Sequence, residues 1–177
     1  MNMYCLFCET GKCEYIRRAV IDTQACRVIS PKQMQHTWSG GRMIDRERDL
    51  LPGYLFLYFE EEEKLNRIRL RQIPGIIRCL RDTSQQYELT GVDAQFALML
   101  LKHGGTIGKT PVYREGQRIR ISEGAFAGLQ TRILKVDHRA SRMQVEIPFA
   151  HQQVRTWLEY EIVESDEPEI PEESDSQ

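Results

Sequence analysis

In Arg118-Ile-Arg-Ile121 cations and apolar residues alternate, so a short strand there carries one cationic and one apolar face. Arg132, Lys135, His138, Arg139 and Arg142 follow within two dozen positions of that strand. Cations fixed on a sheet neutralise phosphates without first ordering a floppy chain, which makes these seven the candidate RNA-binding residues. A second cluster surrounds Gly40-Gly41: Trp38 precedes the pair, and Arg42, Arg46 and Arg48 follow. An aromatic for base stacking beside cations for phosphates is how single strands are gripped, so these four are candidate DNA contacts. Asp45, Glu47 and Asp49 interleave with the arginines, and a solvated hairpin with internal ion pairs fits the pattern equally well.

Other chemistries find little support. The four histidines, at 36, 103, 138 and 151, are scattered, and no paired-acid, Walker or Gly-x-Gly-x-x-Gly motif occurs. The expectation is a protein that is not an enzyme and needs no cofactor. Five cysteines, an odd count without a secretory signal, argue for reduced thiols in the cytoplasm. Cys5 and Cys8 lie three apart in an apolar run that reads as a strand, so their side chains point to opposite faces and do not share a metal. No metal site is expected. Nor is a membrane span, since no run approaches the roughly 18 apolar residues required.

The net charge of −2 hides an asymmetry. Six acids (Asp166, Glu167, Glu169, Glu172, Glu173 and Asp175) crowd the C-terminal end without a Lys or Arg, and without them the remainder carries +4. A cationic body suits a polyanionic partner, and the tail at 165–177 reads as disordered, suppressing loose binding or simply aiding solubility.

These residues need a scaffold. The order begins with a strand over 3–8, a helix over 12–24 with Tyr15, Ile16, Ala19 and Val20 on one face, and a strand over 25–29. An aromatic strand over 51–59 follows, then a helix from Glu60 to Arg71, a strand over 76–80 and a helix over 92–102 opened by a Thr90/Asp93 capping box. The order βαββαβ with an added helix is that of a ferredoxin-like domain. A glycine-bracketed turn, Gly124-Ala-Phe-Ala-Gly128, and the alternating run Met143, Val145, Ile147, Phe149 then describe a small β-barrel with a basic rim. The fold class is α+β, with a first domain over 1–103, a linker over 104–112 and a barrel over 113–164.

Three stretches resemble the NusG family of transcription elongation and antitermination factors, whose N-terminal (NGN) domain precedes a KOW (SH3-like) barrel. Leu51-Pro-Gly-Tyr-Leu-Phe-Leu57 is similar to the family's aromatic-Pro-Gly-Tyr strand, Gly40-Gly41-Arg42 to its Gly-Gly hairpin, and Gly124-Ala-Phe-Ala-Gly128 to its KOW turn. The resemblance implies a monomer that binds RNA polymerase through an apolar patch on the clamp helices of the largest subunit. Carried onto this chain, that patch comprises Phe7, Leu51, Tyr54 and Phe56, and the hairpin lies beside the non-template DNA strand. From the residues alone, Tyr54, Phe56 and Tyr58 share one strand face and Leu55, Leu57 and Phe59 the other; two internal faces, or one internal and one for a partner, satisfy the pattern.

The general factor of the family carries Phe-Gly-Arg-x-Thr-Pro on the KOW surface used for Rho and a ribosomal protein. Here the stretch is Phe149-Ala-His-Gln-Gln-Val-Arg-Thr156, and Thr131 stands where a glycine is common. The chain thus resembles specialised paralogs such as RfaH and LoaP, which implies processive antitermination of particular operons. The surplus of barrel cations is similar to LoaP, implying a nascent RNA hairpin as a partner. The alternatives are a general NusG-type factor and a KOW-containing RNA-binding protein of ribosome assembly.

Overall fold

The structure, a computed structural model, describes residues 1–163 except Thr83, Gln117, Ser122 and the side chain of Glu115. The acidic segment 165–177 lies outside the described residues.

The first domain is built on an antiparallel sheet of β1 (Asn2–Cys8), β2 (Arg27–Ile29), β5 (Tyr54–Phe59) and β6 (Ile76–Cys79), in the order β2-β5-β1-β6. Helices α1 (Cys13–Thr23) and α2 (Arg67–Leu70) follow β1 and β5, and α3 (Gly91–Lys102) comes after β6. Between β2 and β5 stands a long hairpin of β3 (Lys32–Ser39) and β4 (Arg42–Asp49). Gly40 and Gly41 make its turn at φ +58° and +76°, left-handed values that glycine adopts without a Cβ penalty. The barrel comprises β8 (Thr110–Glu115), β9 (Arg118–Ile121), β10 (Arg132–Asp137), β11 (Arg142–Phe149) and β12 (Gln152–Ile162), ordered β10-β11-β12-β8-β9.

The stretch expected as a linker is partly structured. Thr106–Ile107 forms β7, parallel to β3, and β8 already begins at Thr110, where it pairs with β12. The backbone between the domains is thereby hydrogen-bonded into both.

Several local expectations shift for identifiable reasons. The helix expected from Glu60 shrinks to Arg67–Leu70, because Asn66 caps it there by accepting the Arg69 N–H at 3.2 Å. Four consecutive acids ahead of it repel one another instead of sharing a first turn. Thr90 makes no side-chain cap on α3; its hydroxyl donates to Asp82 instead. On α1 the buried residues are Ile16 and Val20, while Tyr15, expected on that face, stays 55% exposed.

Each face of β5 has its own cover. Leu55, Leu57 and Phe59 pack with Ile16 and Val20 of α1 and Leu70 of α2. Phe56 and Tyr58 pack with Phe96, Ala97 and Leu100 of α3, in a core that continues without interruption into the barrel through Phe149, Ile147 and Met143. The Pro52-Gly53 turn ahead of β5 is fixed by sterics: Gly53 has φ +89°, and a Cβ there would stand 2.9 Å from the Cys8 carbonyl oxygen. In the observed turn the Cys8 N–H donates to the Gly53 carbonyl at 2.8 Å.

Candidate functional site

The residues expected on one apolar patch do meet. Phe7 on β1 and Tyr54 on β5 are cross-strand partners with ring centroids 5.1 Å apart. Phe56 lies two positions along the same face, and Leu51 enters from the preceding turn. The patch is covered, however. Phe149, at the end of β11, places its ring 5.3 Å from Phe56, 5.4 Å from Phe96 and 6.3 Å from Tyr54. Phe56 is wholly buried, Leu51 nearly so, and Phe7 and Tyr54 are half-buried. Burial also pushes the Tyr54 hydroxyl above its ordinary pKa, as expected for a phenol withdrawn from water.

Polar contacts surround this aromatic centre and tie the domains together. The Ala150 N–H donates to the Asp93 carboxylate at 3.0 Å, and the Thr156 hydroxyl donates to the Leu50 carbonyl at 2.9 Å. Across the hairpin, the buried Glu159 carboxylate accepts the His36 backbone N–H at 3.1 Å and faces His36 Nδ1 at 2.9 Å. The β11–β12 turn is made by Ala150 and His151, both left-handed at φ +49° and +62°. His151 Nε2 meets the Asp82 carbonyl of the first domain. The β11–β12 turn is thus docked on the first domain.

The hairpin cluster separates into two faces. Cross-strand register pairs Trp38 with Met43, His36 with Asp45 and Lys32 with Asp49, whereas Arg42, Arg46 and Arg48 pair with Ser39, Gln35 and Gln33. Directly opposed residues share a face, so Trp38 stands among acids on one side and the three arginines stand on the other. The expected stack of an aromatic beside those cations does not form; period-two alternation separates odd from even positions. Trp38 remains 70% exposed near the hairpin tip.

The barrel cations also divide. Arg118 and Arg120 are exposed on β9, at one end of the strand order. His138 and Arg139 sit in the β10–β11 turn, with His138 Nδ1 3.0 Å from the Tyr160 hydroxyl. Arg132, Lys135 and Arg142 share one sheet face, because they oppose or adjoin Glu146, Gln144 and Asp137. That face holds two further residues whose signal lay in the β12 alternation Gln153, Arg155, Trp157, Glu159. Trp157 opposes Gln144 and Arg155 opposes Glu146. Trp157 is 39% exposed, and Arg155 is paired with Glu146 at 2.8 Å. Trp157, Arg142 and Arg155 face Arg48 and Gln35 of the hairpin across a groove of about 460 Å³. The aromatic beside cations that Trp38 does not supply is supplied by Trp157.

Cys5 belongs to the core shared with the barrel and Cys8 to the core under α1, on opposite faces of β1. Burial pushes the Cys8 thiol up to about 12. Among the described residues, no group of three or more His, Cys, Asp or Glu is placed to hold a metal, and no helix is long and apolar enough to cross a membrane.

Comparison with known proteins decides the lineage. The family described as "Transcription termination factor nusG" matches residues 1–96, more than half of the chain. This chain belongs to the NusG family. "Transcription termination/antitermination protein NusG" of Pasteurella multocida is 22% identical over 155 residues, spanning 85% of this chain and 83% of its own length. The protein of the same description from Vibrio parahaemolyticus is 22% identical over 153 residues, spanning 85% and 84%. A solved structure titled "Domain interaction in Thermotoga maritima NusG" covers 89% of this chain and 93% of its own, with a TM-score of 0.51 at 17% identity, which supports the fold alone. The mixed α+β architecture of an NGN-like domain followed by a KOW-like barrel is thus that of a NusG-type transcription factor.

Proposed function

We propose that this NusG-type factor binds RNA polymerase at the clamp helices through Phe7, Leu51, Tyr54 and Phe56, and that the docked barrel masks this surface until it is released. The carrying observation is the seat of Phe149 on Tyr54, Phe56 and Phe96. A face that is aromatic along its whole length, and covered by a separate small barrel instead of by its own helices alone, exchanges one apolar cover for another at low cost. The two covers cannot occupy it together.

The reading extends to processive antitermination of particular operons, with no enzymatic step. Its support is the β11–β12 turn. The stretch with which the general factor is expected to meet Rho has lost its Gly, Arg, Thr and Pro, and its counterpart here is engaged with Asp93 and Asp82. The nascent RNA hairpin is assigned to the barrel face of Arg132, Lys135, Arg142, Arg155 and Trp157, with Arg118, Arg120, His138 and Arg139 as flanking phosphate contacts. The non-template strand is assigned to the exposed hairpin arginines, Arg42 and Arg46 foremost.

The deciding experiment is Tyr54→Ala with Phe56→Ala, assayed for polymerase binding and for terminator read-through in single-round transcription. Loss of both with an intact circular dichroism spectrum supports the assignment; retained binding refutes it. Increased termination by the unmodified protein would return it to the general-factor class.

A further inference from the structure

The groove between the hairpin and the barrel is walled by both domains. Gln33, Gln35 and Arg48 come from the hairpin, and Arg142, Arg155 and Trp157 from the barrel. Register places each set on one sheet face: Gln33 opposes Arg48 on the hairpin, while Trp157 opposes Gln144, which alternates with Arg142 on the barrel. Gln33 and Gln35 are only 6% and 5% exposed, an unusual place for two amides. Gln35 Oε1 and Arg142 Nε are both buried, and among the described residues neither has a hydrogen-bond partner. Buried acceptors and donors are costly to leave unpaired. Here one of each lies in a single open groove of about 460 Å³, which has room for a molecule that pairs them.

The arginines of the groove are not equally committed. Arg155 pairs with Glu146 at 2.8 Å and Arg142 approaches Glu159 at 3.8 Å. Arg48 is exposed and, among the described residues, in no ion pair. Asp49 and Asp137 also line the groove; Asp49 is held by Lys32 at 2.5 Å, and Asp137 accepts the Ala140 N–H at 3.0 Å. One uncommitted cation beside two acids suits a single phosphate and opposes a chain of them. Trp157, 39% exposed, offers an aromatic surface to a planar ligand.

We propose that this groove binds a free purine mononucleotide, and that the nucleotide holds the two domains docked. The base stacks on Trp157. Its edge carries both kinds of group that the groove leaves unpaired: an N–H donates to Gln35 Oε1, and a ring nitrogen or carbonyl accepts from Arg142. The phosphate meets Arg48. An aliphatic acid would use Arg48 but neither the ring nor the orphaned pair. Because the walls belong to two domains, only the docked state presents the whole site, and a ligand there shifts the population toward docking. That last step rests on the masking reading above; the site itself does not.

The test uses the full chain with Trp38→Phe, which leaves Trp157 as the sole tryptophan, so that its fluorescence reports stacking. GMP, AMP and their nucleosides are titrated separately. GMP or AMP should quench saturably, and the two arms tell which purine edge fits. Gln35→Met keeps the volume, removes the amide, and should weaken the better nucleotide about tenfold while binding of the leader hairpin is retained. Arg48→Gln should weaken the nucleotide about tenfold and leave its nucleoside unchanged, which locates the phosphate. As an exposed position, it also serves if Gln35→Met fails to fold by circular dichroism. Saturating nucleotide should weaken attachment to polymerase; nucleotide that binds without doing so upholds the site and refutes the masking. Absence of saturable quenching by either mononucleotide at millimolar concentration overturns the proposal. So does unchanged nucleotide affinity in a folded protein carrying both Gln35→Met and Arg48→Gln.

Discussion

Replacing Phe149 by Ala should open the molecule and strengthen its attachment to polymerase. The ring is 2% exposed and meets three aromatics of the first domain, at 5.3, 5.4 and 6.3 Å. Aromatic pairs contribute about 0.5–1.5 kcal/mol each beyond area burial, so the three together stabilise docking by roughly 1.5–4.5 kcal/mol. At about 1.4 kcal/mol per decade, the docked-to-released ratio should fall by roughly ten- to a thousandfold. If only the released state binds polymerase, apparent affinity improves by the same factor until release is complete. Titration of polymerase with the labelled variant measures the affinity, and small-angle scattering measures the accompanying rise in radius of gyration. Glu159→Ala should act in the same direction, since it removes the charged acceptor of the part-buried His36 N–H, a hydrogen bond of a kind that contributes about 1.5–3 kcal/mol. A folded Phe149→Ala protein with unchanged affinity and unchanged radius would refute the masking argument.

Trp157→Ala should weaken leader-hairpin binding by roughly 1–3 kcal/mol, the worth of one stacked base, with attachment to polymerase retained; filter binding beside a polymerase pull-down checks both. Gly53→Ala places a Cβ 2.9 Å from a backbone oxygen at φ +89° and should lower the melting temperature by about 4–8 °C, from roughly 2 kcal/mol of strain at 2–4 °C per kcal/mol, as read by calorimetry. Asp82 gives a pH signature. Burial raises its pKa, but the Thr90 hydroxyl and the Ser84 and Gln86 N–H groups outweigh that and hold the carboxyl below its ordinary value. A depressed folded value means stabilisation that is present above the unfolded value, roughly 3.9, and lost as pH falls through the folded one. The melting-temperature gap between the unmodified protein and Asp82→Asn should therefore be open at pH 7 and close below about pH 4. A gap that is constant with pH would show that the charge is irrelevant to the loop.

The two layers of the first domain were legible because their signals are local. Period-two and i, i+4 patterns state which side chains share a face, and Leu51-Pro-Gly-Tyr54 marks a turn that only glycine can make at Gly53. The barrel strand Arg142–Phe149 was legible for the same reason: every second residue is buried. Helix lengths were less so, since Asn66 capped α2 late and Thr90 turned its hydroxyl to Asp82, choices made by neighbours absent from the local window.

The sites depended on pairing between distant segments. Trp38 and three arginines are close neighbours along the chain, but the β3–β4 register sets them on opposite faces. Nothing local marks Trp157, but β11–β12 pairing puts it among Arg142, Arg155 and Gln144. Most consequentially, the alternation of β5 permits two internal faces or one face left for a partner. Which cover the second face takes is decided by the docking of Phe149, nearly a hundred residues away. The periodicity of each element is written in its own residues, because it follows from the element's own backbone geometry. The occupant of each face is a competition between surfaces of similar apolarity, and only the assembled chain settles it.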